Sequence, residues 1–250
     1  MNSLQDTAPI QILVLNTIMK RKISITVLTL FPDFVESYLK FGIIRRAIKN
    51  RVLQFKTVNL RDFSFDKRGT VDDRPYGGGV GMVLRPDVMV KAIQKLRAKQ
   101  KKVRVILLTP QGKKFDQVQA RRLTKYERLV FVSGRYEGFD ERIRAFVDEE
   151  LSIGDYILMG GELPTLVISE AILRLVPGIL GKLESTAAES FSHGLLEYPQ
   201  YTKPEVLKVG RKTMRVPKVL LAGHHGKMNQ WRQAEAIKRT KKRRPDLLSQ

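Results

Sequence analysis

Short β-branched apolar runs recur along this chain, separated by stretches whose apolar positions return every three to four residues. That alternation predicts an α/β domain built on a parallel sheet. Residues 23–30 alternate and are rich in Ile, Val and Thr, predicting a strand. Pro32 then opens one helix in which Val35, Tyr38, Leu39, Ile43 and Ile44 share a face. Residues 52–60 read as the next strand, completing a βαβ beginning. Residues 86–98 form an amphipathic helix with Val88, Met89, Ala92, Ile93 and Leu96 inward. Residues 103–108 are apolar at nearly every position, the pattern of a strand covered on both faces. A short basic helix at 116–125, strands at 129–133 and 151–153, and a helix at 163–176 follow.

The connections carry the chemistry. Strands 129–133 and 151–153 run directly into glycine-bearing turns at 134–138 and 154–161, and strand 103–108 ends in the turn Thr-Pro-Gln-Gly at 109–112. Open α/β sheets bind ligands at the C-terminal edges of their strands, and glycine lets backbone groups approach a ligand closely. A single such turn is ordinary punctuation. Three at one edge, with Arg135, Glu137, Asp155 and Glu162 among them, point to a small polar, zwitterionic ligand. Residues 61–85 form a loop too long for a plain connection, holding paired acids, arginines and Gly77-Gly78-Gly79, and read as a substrate-contacting segment. It is not a P-loop, because no Gly-Lys-Ser/Thr follows, and its glycines do not sit in the βαβ turn of a dinucleotide fold.

Composition adds a partner. The 250 residues carry a formal charge of +21. Residues 201–250 hold 14 lysines and arginines against 3 acids, about half of that excess in a fifth of the chain. No acidic block balances it, so a nucleic acid is the expected partner. With no cysteine, disulfides and thiolate metal sites are excluded, and His193, His224 and His225 lack zinc-like spacing. No run is long enough to span a membrane, and residues 1–18 hold Asp6 but no Lys or Arg, unlike a secretory leader. The reading is a cytoplasmic protein in four parts: a leader at 1–18, read as disordered, a main α/β domain at 19–180, a linker at 181–204 and a basic helical domain at 205–250.

Eight motifs in fixed order resemble one family over about residues 23–248. They are Leu-Phe-Pro at 30–32, Asp-Asp-Arg-Pro-Tyr-Gly-Gly-Gly at 72–79 with Gly-Met at 81–82, Gly-Arg-Tyr-Glu-Gly at 134–138 and Asp-Glu-Arg at 140–142. Ile-Gly-Asp-Tyr at 153–156, Gly-Gly-Glu-Leu-Pro at 160–164, Pro-Gly-Ile-Leu-Gly at 177–181 and Tyr-Thr-Lys-Pro at 201–204 complete the set. The chain is similar to the bacterial tRNA (guanine-N1)-methyltransferase family TrmD, of the SPOUT class. The resemblance implies a parallel-sheet SPOUT domain with a C-terminal trefoil knot, a small all-α C-terminal domain, and a homodimer whose active sites span both subunits. Its implied donor is S-adenosylmethionine, and its implied target is N1 of guanosine 37, 3′ of the anticodon, after another guanosine.

The resemblance also distributes roles. The donor pocket falls on Pro110, Gly112, Gly134, Glu137, Ile153, Gly154, Asp155, Tyr156, Ile157, Leu158, Gly160 and Gly161. N1 must lose a proton before it attacks, and the base position falls on Glu189, where the family has aspartate. Arg174 matches an arginine at the target base, placed to stabilise charge growing on O6. Asp72, Arg74 and Tyr76 are expected to hold the flipped guanosine, Glu197 to order the linker or base pocket, and Lys241, Lys242, Arg243 and Arg244 to grip phosphate. No metal ligand is assigned, and a magnesium dependence is left without a residue. Two alternatives stay open from sequence: a SPOUT methyltransferase for another RNA position, and a basic RNA-binding protein without catalysis.

Overall fold

The computed structural model describes residues 22–98, 102–180, 189–192 and 194–248, so the leader at 1–18 and most of the first half of the linker lie outside the described residues. The chain divides into two compact units, Met1–Lys182 and Leu183–Gln250.

The first unit is built on five strands: β1 (Ile23–Thr29), β2 (Leu53–Asn59), β5 (Val103–Lys114), β6 (Arg128–Ser133) and β7 (Glu149–Ser152). Their order is β2-β1-β6-β5-β7, and every pairing is parallel. The α/β expectation therefore holds, and the apolar runs have a simple cause. Ile106 and Leu108 of β5 face one core with Ile25, Val27, Leu129 and Phe131, while Val105 and Leu107 face the other with Leu28, Val130 and Val132. Both faces are covered, so both faces are apolar. Helices α1 (Pro32–Leu39), α2 (Gly42–Lys49), α4 (Gln117–Leu123) and α5 (Glu162–Leu173) contribute to the first core, and α3 (Pro86–Arg97) to the second. A two-stranded ribbon, β3 (Asp72–Asp73) with β4 (Val83–Leu84), closes the base of the long loop.

Two expectations need correction here. The helix opening at Pro32 is not continuous: Phe41 is extended and Gly42 sits at φ +62°, outside the range of an L side chain in a helix, so α1 ends and α2 turns away. Ile44 is then buried while Ile43 is 40% exposed. The turn at 109–112 lies inside β5 and does not follow it. Leu108 and Lys113 both pair with Leu151, so residues 109–112 are looped out between two points that meet the same partner.

The second unit contains a hairpin, β8 (Val206–Val209) with β9 (Lys212–Arg215), then α6 (Lys218–Leu221) and the long α7 (His225–Arg243). The expected all-α C-terminal domain is thus corrected to a helical unit with a β-hairpin. The hairpin's two-residue turn contains Gly210 at φ +58°, the conformation such turns require. His224 and His225 sit at the start of α7, as read from sequence.

Candidate active site

Strands β6, β5 and β7 are neighbours in the sheet, so the segments leaving them converge at one edge. Together, residues 108–111, 134–139, 151–154 and 156–161 line a cleft of about 370 Å³. Ten of the twelve residues expected in a donor pocket line it, and the two exceptions are Gly112 and Asp155. A Cβ on Gly112 would lie 2.5 Å from the Leu151 backbone nitrogen, so this glycine lets two strands cross closely and does not face a ligand. The Asp155 side chain is 93% exposed and stands 3.7 Å from Lys114 Nζ.

Glycine serves the cleft in a way that the turns alone did not reveal. At Gly160 a Cβ would strike the Arg135 guanidinium, and at Gly161 it would lie 2.7 Å from Ser133 Cα. The glycines admit protein against protein, and that tight seating shapes the walls.

Arg135 and Glu162 join the walls. Glu162 is 1% exposed in the first turn of α5, where the helix N-terminus favours a carboxylate. It accepts from Thr29 Oγ1 at 2.6 Å and from Arg135 Nε at 3.0 Å. Arg135 also donates to the Met159 carbonyl at 3.4 Å and lies 4.4 Å over the Phe31 ring. One buried acid therefore ties the end of β1, the 134–138 turn and the 154–161 turn together. Behind it the Ser133 and Thr165 hydroxyls pair at 2.8 Å, and Thr165 donates to the Gly161 carbonyl at 2.9 Å. Motif position marked Glu162, but nothing in the sequence marked it as a buried tie.

The long loop is rooted at the same cleft. Glu137 N–H donates to the Met82 carbonyl at 3.0 Å, Leu84 N–H to Gly138 at 3.0 Å, and Asp140 N–H to Leu84 at 3.3 Å. A Cβ on Gly81 would collide with the Glu137 side chain, and its φ of +88° is one that an L side chain rarely adopts. Asp72 pairs with Leu84 in the ribbon, Arg74 N–H donates to Asp73, and Tyr76 at the tip is wholly exposed. Hydrogen bonds from Arg142 hold the nearby Asp140 carboxyl below its usual range.

One residue that sequence reasoning missed is Arg144, which lines the cleft and pairs with Glu150, Gln111 and, at 2.8 Å, Glu141. It lacked a signal, because one arginine in a charged segment resembles any other. Arg174 is exposed at the C-terminal cap of α5.

In the second unit Glu189 and Glu197 line one cavity of about 450 Å³, with Tyr198 and Arg232. Arg232 lies 5.0 Å over the Tyr198 ring. Lys241, Lys242 and Arg243 are exposed in the last turn of α7, whereas Arg244 chelates Asp246 at 2.6–3.2 Å. Among the described residues no three His, Asp or Glu side chains gather as a metal site, and no helix is long and apolar enough to cross a membrane.

Residues 23–250 match the family model described as tRNA (Guanine-1)-methyltransferase TrmD. The chain is 48% identical over 224 residues to the tRNA (guanine-N(1)-)-methyltransferase of Sulfurihydrogenibium sp. (strain YO3AOP1), covering 90% of this chain and 87% of that protein. It is 48% identical over 223 residues to the protein of the same description from Bacillus subtilis (strain 168), covering 88% and 90%. A third such relative, from Shouchella clausii (strain KSM-K16), is 48% identical over 225 residues, covering 90% and 91%.

Proposed function

The chain belongs to the tRNA (guanine-1)-methyltransferase family, and from that premise we propose that it methylates N1 of guanosine 37 in tRNAs with guanosine at position 36, using S-adenosylmethionine held in the cleft over β6, β5 and β7. The observation that carries the assignment of the cleft is the convergence of ten expected pocket residues around a space of about 370 Å³, within the ~300–1,000 Å³ of small-molecule sites. The lining suits this donor: backbone of 153–158 for an adenine edge, and the Glu137 carboxylate for a cationic methionine end.

The donor brings a methyl that is already electrophilic, so the protein's task is at the guanine. Glu189 takes the proton from N1, and the Arg174 guanidinium stabilises the charge that grows on O6. The loop rooted at Gly81–Leu84 carries Asp72, Arg74 and Tyr76 to the flipped base, and the exposed tip residue Tyr76 offers a ring for it to stack on. Lys241, Lys242 and Arg243 at the end of α7 hold phosphate. No residue is assigned to magnesium.

The knot in this reading rests on membership of the family. A homodimer is supported by exposed apolar side chains on two helices of the same face: Phe34 on α1, and Leu163 and Val167 one turn apart on α5. These helices pack together, with Tyr38 donating to Glu170 between them. A tRNA substrate goes with work in the cytoplasm.

The test is single-turnover transfer of labelled methyl to an unmodified tRNA transcript with guanosine at positions 36 and 37, with the product mapped to the atom. N1-methylguanosine at position 37 is expected, slowed ~10²–10⁴-fold by Glu189→Gln with donor binding retained. An enzyme that binds the donor and methylates no such transcript would refute the assignment. Full activity in Glu189→Gln would remove only the base, with Glu197 the next carboxylate.

A further inference from the structure

The C-terminal helix α7 is polar along its length, and among its described residues only Ala236 and Thr240 are buried. They stand four residues apart, on one face. The segment that begins at Glu189 bonds to Thr240 and lines one cavity with Ala236.

That segment closes on itself. Ser192 N–H donates to the Glu189 carbonyl at 3.1 Å, Phe191 N–H to the Leu195 carbonyl at 2.8 Å, and Glu197 N–H to Ser190 Oγ at 2.9 Å. Phe191 holds φ +70° to make the turn, a conformation that costs a bulky residue energy and persists only where surroundings enforce it. The closed segment then hangs on α7 by two hydrogen bonds. Leu196 N–H donates to Thr240 Oγ1 at 2.9 Å, and Arg239 Nη1 donates to the Glu197 carbonyl at 3.2 Å. Thr240 Oγ1 gives its own proton to the Ala236 carbonyl at 2.8 Å. The hydroxyl therefore has a lone pair aimed at Leu196, with its rotamer fixed by the helix. Thr240 is 0% exposed, so no water substitutes for it.

We propose that Thr240, aided by Arg239, is a positioning residue for catalysis: α7 is the rigid mount for the segment that carries Glu189, and is not only an anchor for tRNA. The proposal rests on the reading of Glu189 as the base. A carboxylate at one end of an unsupported loop samples many positions, whereas proton transfer needs it within hydrogen-bond reach of N1. Fixing Leu196 and Glu197 to the helix shortens the free chain to a closed loop of fewer than ten residues, and both linker acids then move with α7.

The test compares Thr240→Val, which keeps shape and loses the hydroxyl, with Thr240→Ser, which keeps the hydroxyl. In single-turnover methyl transfer with full-length protein, Thr240→Val is expected to slow the chemical step by ~10-fold or more, with tRNA and donor affinities within about twofold of wild type. Thr240→Ser is expected to restore most of the rate. Arg239→Met, which leaves the helix interior intact, should give a smaller loss in the same direction. Combining Thr240→Val with Glu189→Gln should add little to Glu189→Gln alone, since the two act on one event. An unchanged rate in Thr240→Val overturns the proposal. So does a loss seen wholly in tRNA affinity, which would make Thr240 part of an anchor, or equal defects in the Val and Ser variants. If Thr240→Val does not fold, Arg239→Met decides by the same criteria. A Glu189→Gln variant with full activity defeats the base reading alone, and the rate of Thr240→Val then still reports whether the mount matters.

Discussion

Replacing Glu162 with glutamine tests whether one buried acid holds the donor cleft in shape. The substitution keeps size and removes charge. Glu162 is 1% exposed and accepts from Thr29 and Arg135, whose own side chain is 25% exposed. Breaking a fully buried ion pair costs ~3–5 kcal/mol because the surviving charge is stranded. Water reaches part of Arg135, so the figure should be discounted to ~2–3 kcal/mol, with the Thr29 bond partly kept by the amide oxygen. The loss divides between stability and binding. Far-UV circular dichroism in a denaturant series follows the sheet, while fluorescence of the only tryptophan, Trp231, follows the C-terminal unit. The circular dichroism transition is expected to move by ~2–3 kcal/mol with the fluorescence transition nearly in place, and calorimetric donor affinity to fall at least ~10-fold, or about 1.4 kcal/mol. A double-mutant cycle with Arg135→Met should show a coupling above ~1 kcal/mol. If Glu162→Gln costs under ~1 kcal/mol and binds donor like wild type, the acid is not the tie between the turns and the argument for the cleft's rigidity fails.

Gly161→Ala should be harsher than a usual glycine change, because its Cβ would meet backbone of Ser133 and Gly134 at 2.7–2.8 Å; a loss of ~1–3 kcal/mol with weakened donor binding is expected by the same assays, and wild-type values would show that the two turns have slack. Burial first, and then the hydrogen bond to Glu170, pushes the Tyr38 phenol up to about 12 from 10.0. Its folded value lies above the unfolded one, so its contribution is complete below pH 10 and is lost as pH rises towards 12. In ultraviolet difference titration against Tyr38→Phe it should remain un-ionised at pH 11, and a normal ionisation near 10 would contradict the packing of α1 on α5. Replacing Lys241, Lys242 and Arg243 with glutamine should flatten the salt dependence of tRNA binding by up to ~0.7–0.9 in log–log slope per lost phosphate contact. Arg244→Gln should flatten it less, because that guanidinium is engaged by Asp246; equal effects from all four would refute the distinction.

The sheet was legible because a strand covered on both faces must be apolar at every position, and β5 and β6 obey that rule without exception at their centres. The convergence of the turns on one cleft was legible for a related reason, since turns leaving adjacent parallel strands have to meet. What escaped lies where tertiary contact overrides local pattern. The face containing Val35 and Ile44 is shared in register, yet the extended Phe41 and Gly42 at φ +62° break the helix between them. Pro and Gly usually end strands, so 109–112 has the local pattern of an ending, but β5 resumes against β7 at Lys113. The hairpin at 206–215 does carry a signal, a two-residue turn with Gly210 between short runs, but lysines and arginines interrupt those runs and weaken the strand pattern.

Two buried polar residues that join distant segments were the least visible in the sequence. Glu162 and Thr240 are polar side chains at 1% and 0% exposure, and each satisfies backbone or charged groups from segments far away in the chain. A polar residue of that kind has no period and no composition signature, because its partners are 27 to 133 residues distant for Glu162 and 44 for Leu196 on Thr240. Sequence patterns report which face of an element is buried. They do not report which buried polar group fixes one loop to another, as Glu162 does for the segments that meet at the cleft and Thr240 does for the segment at Leu196.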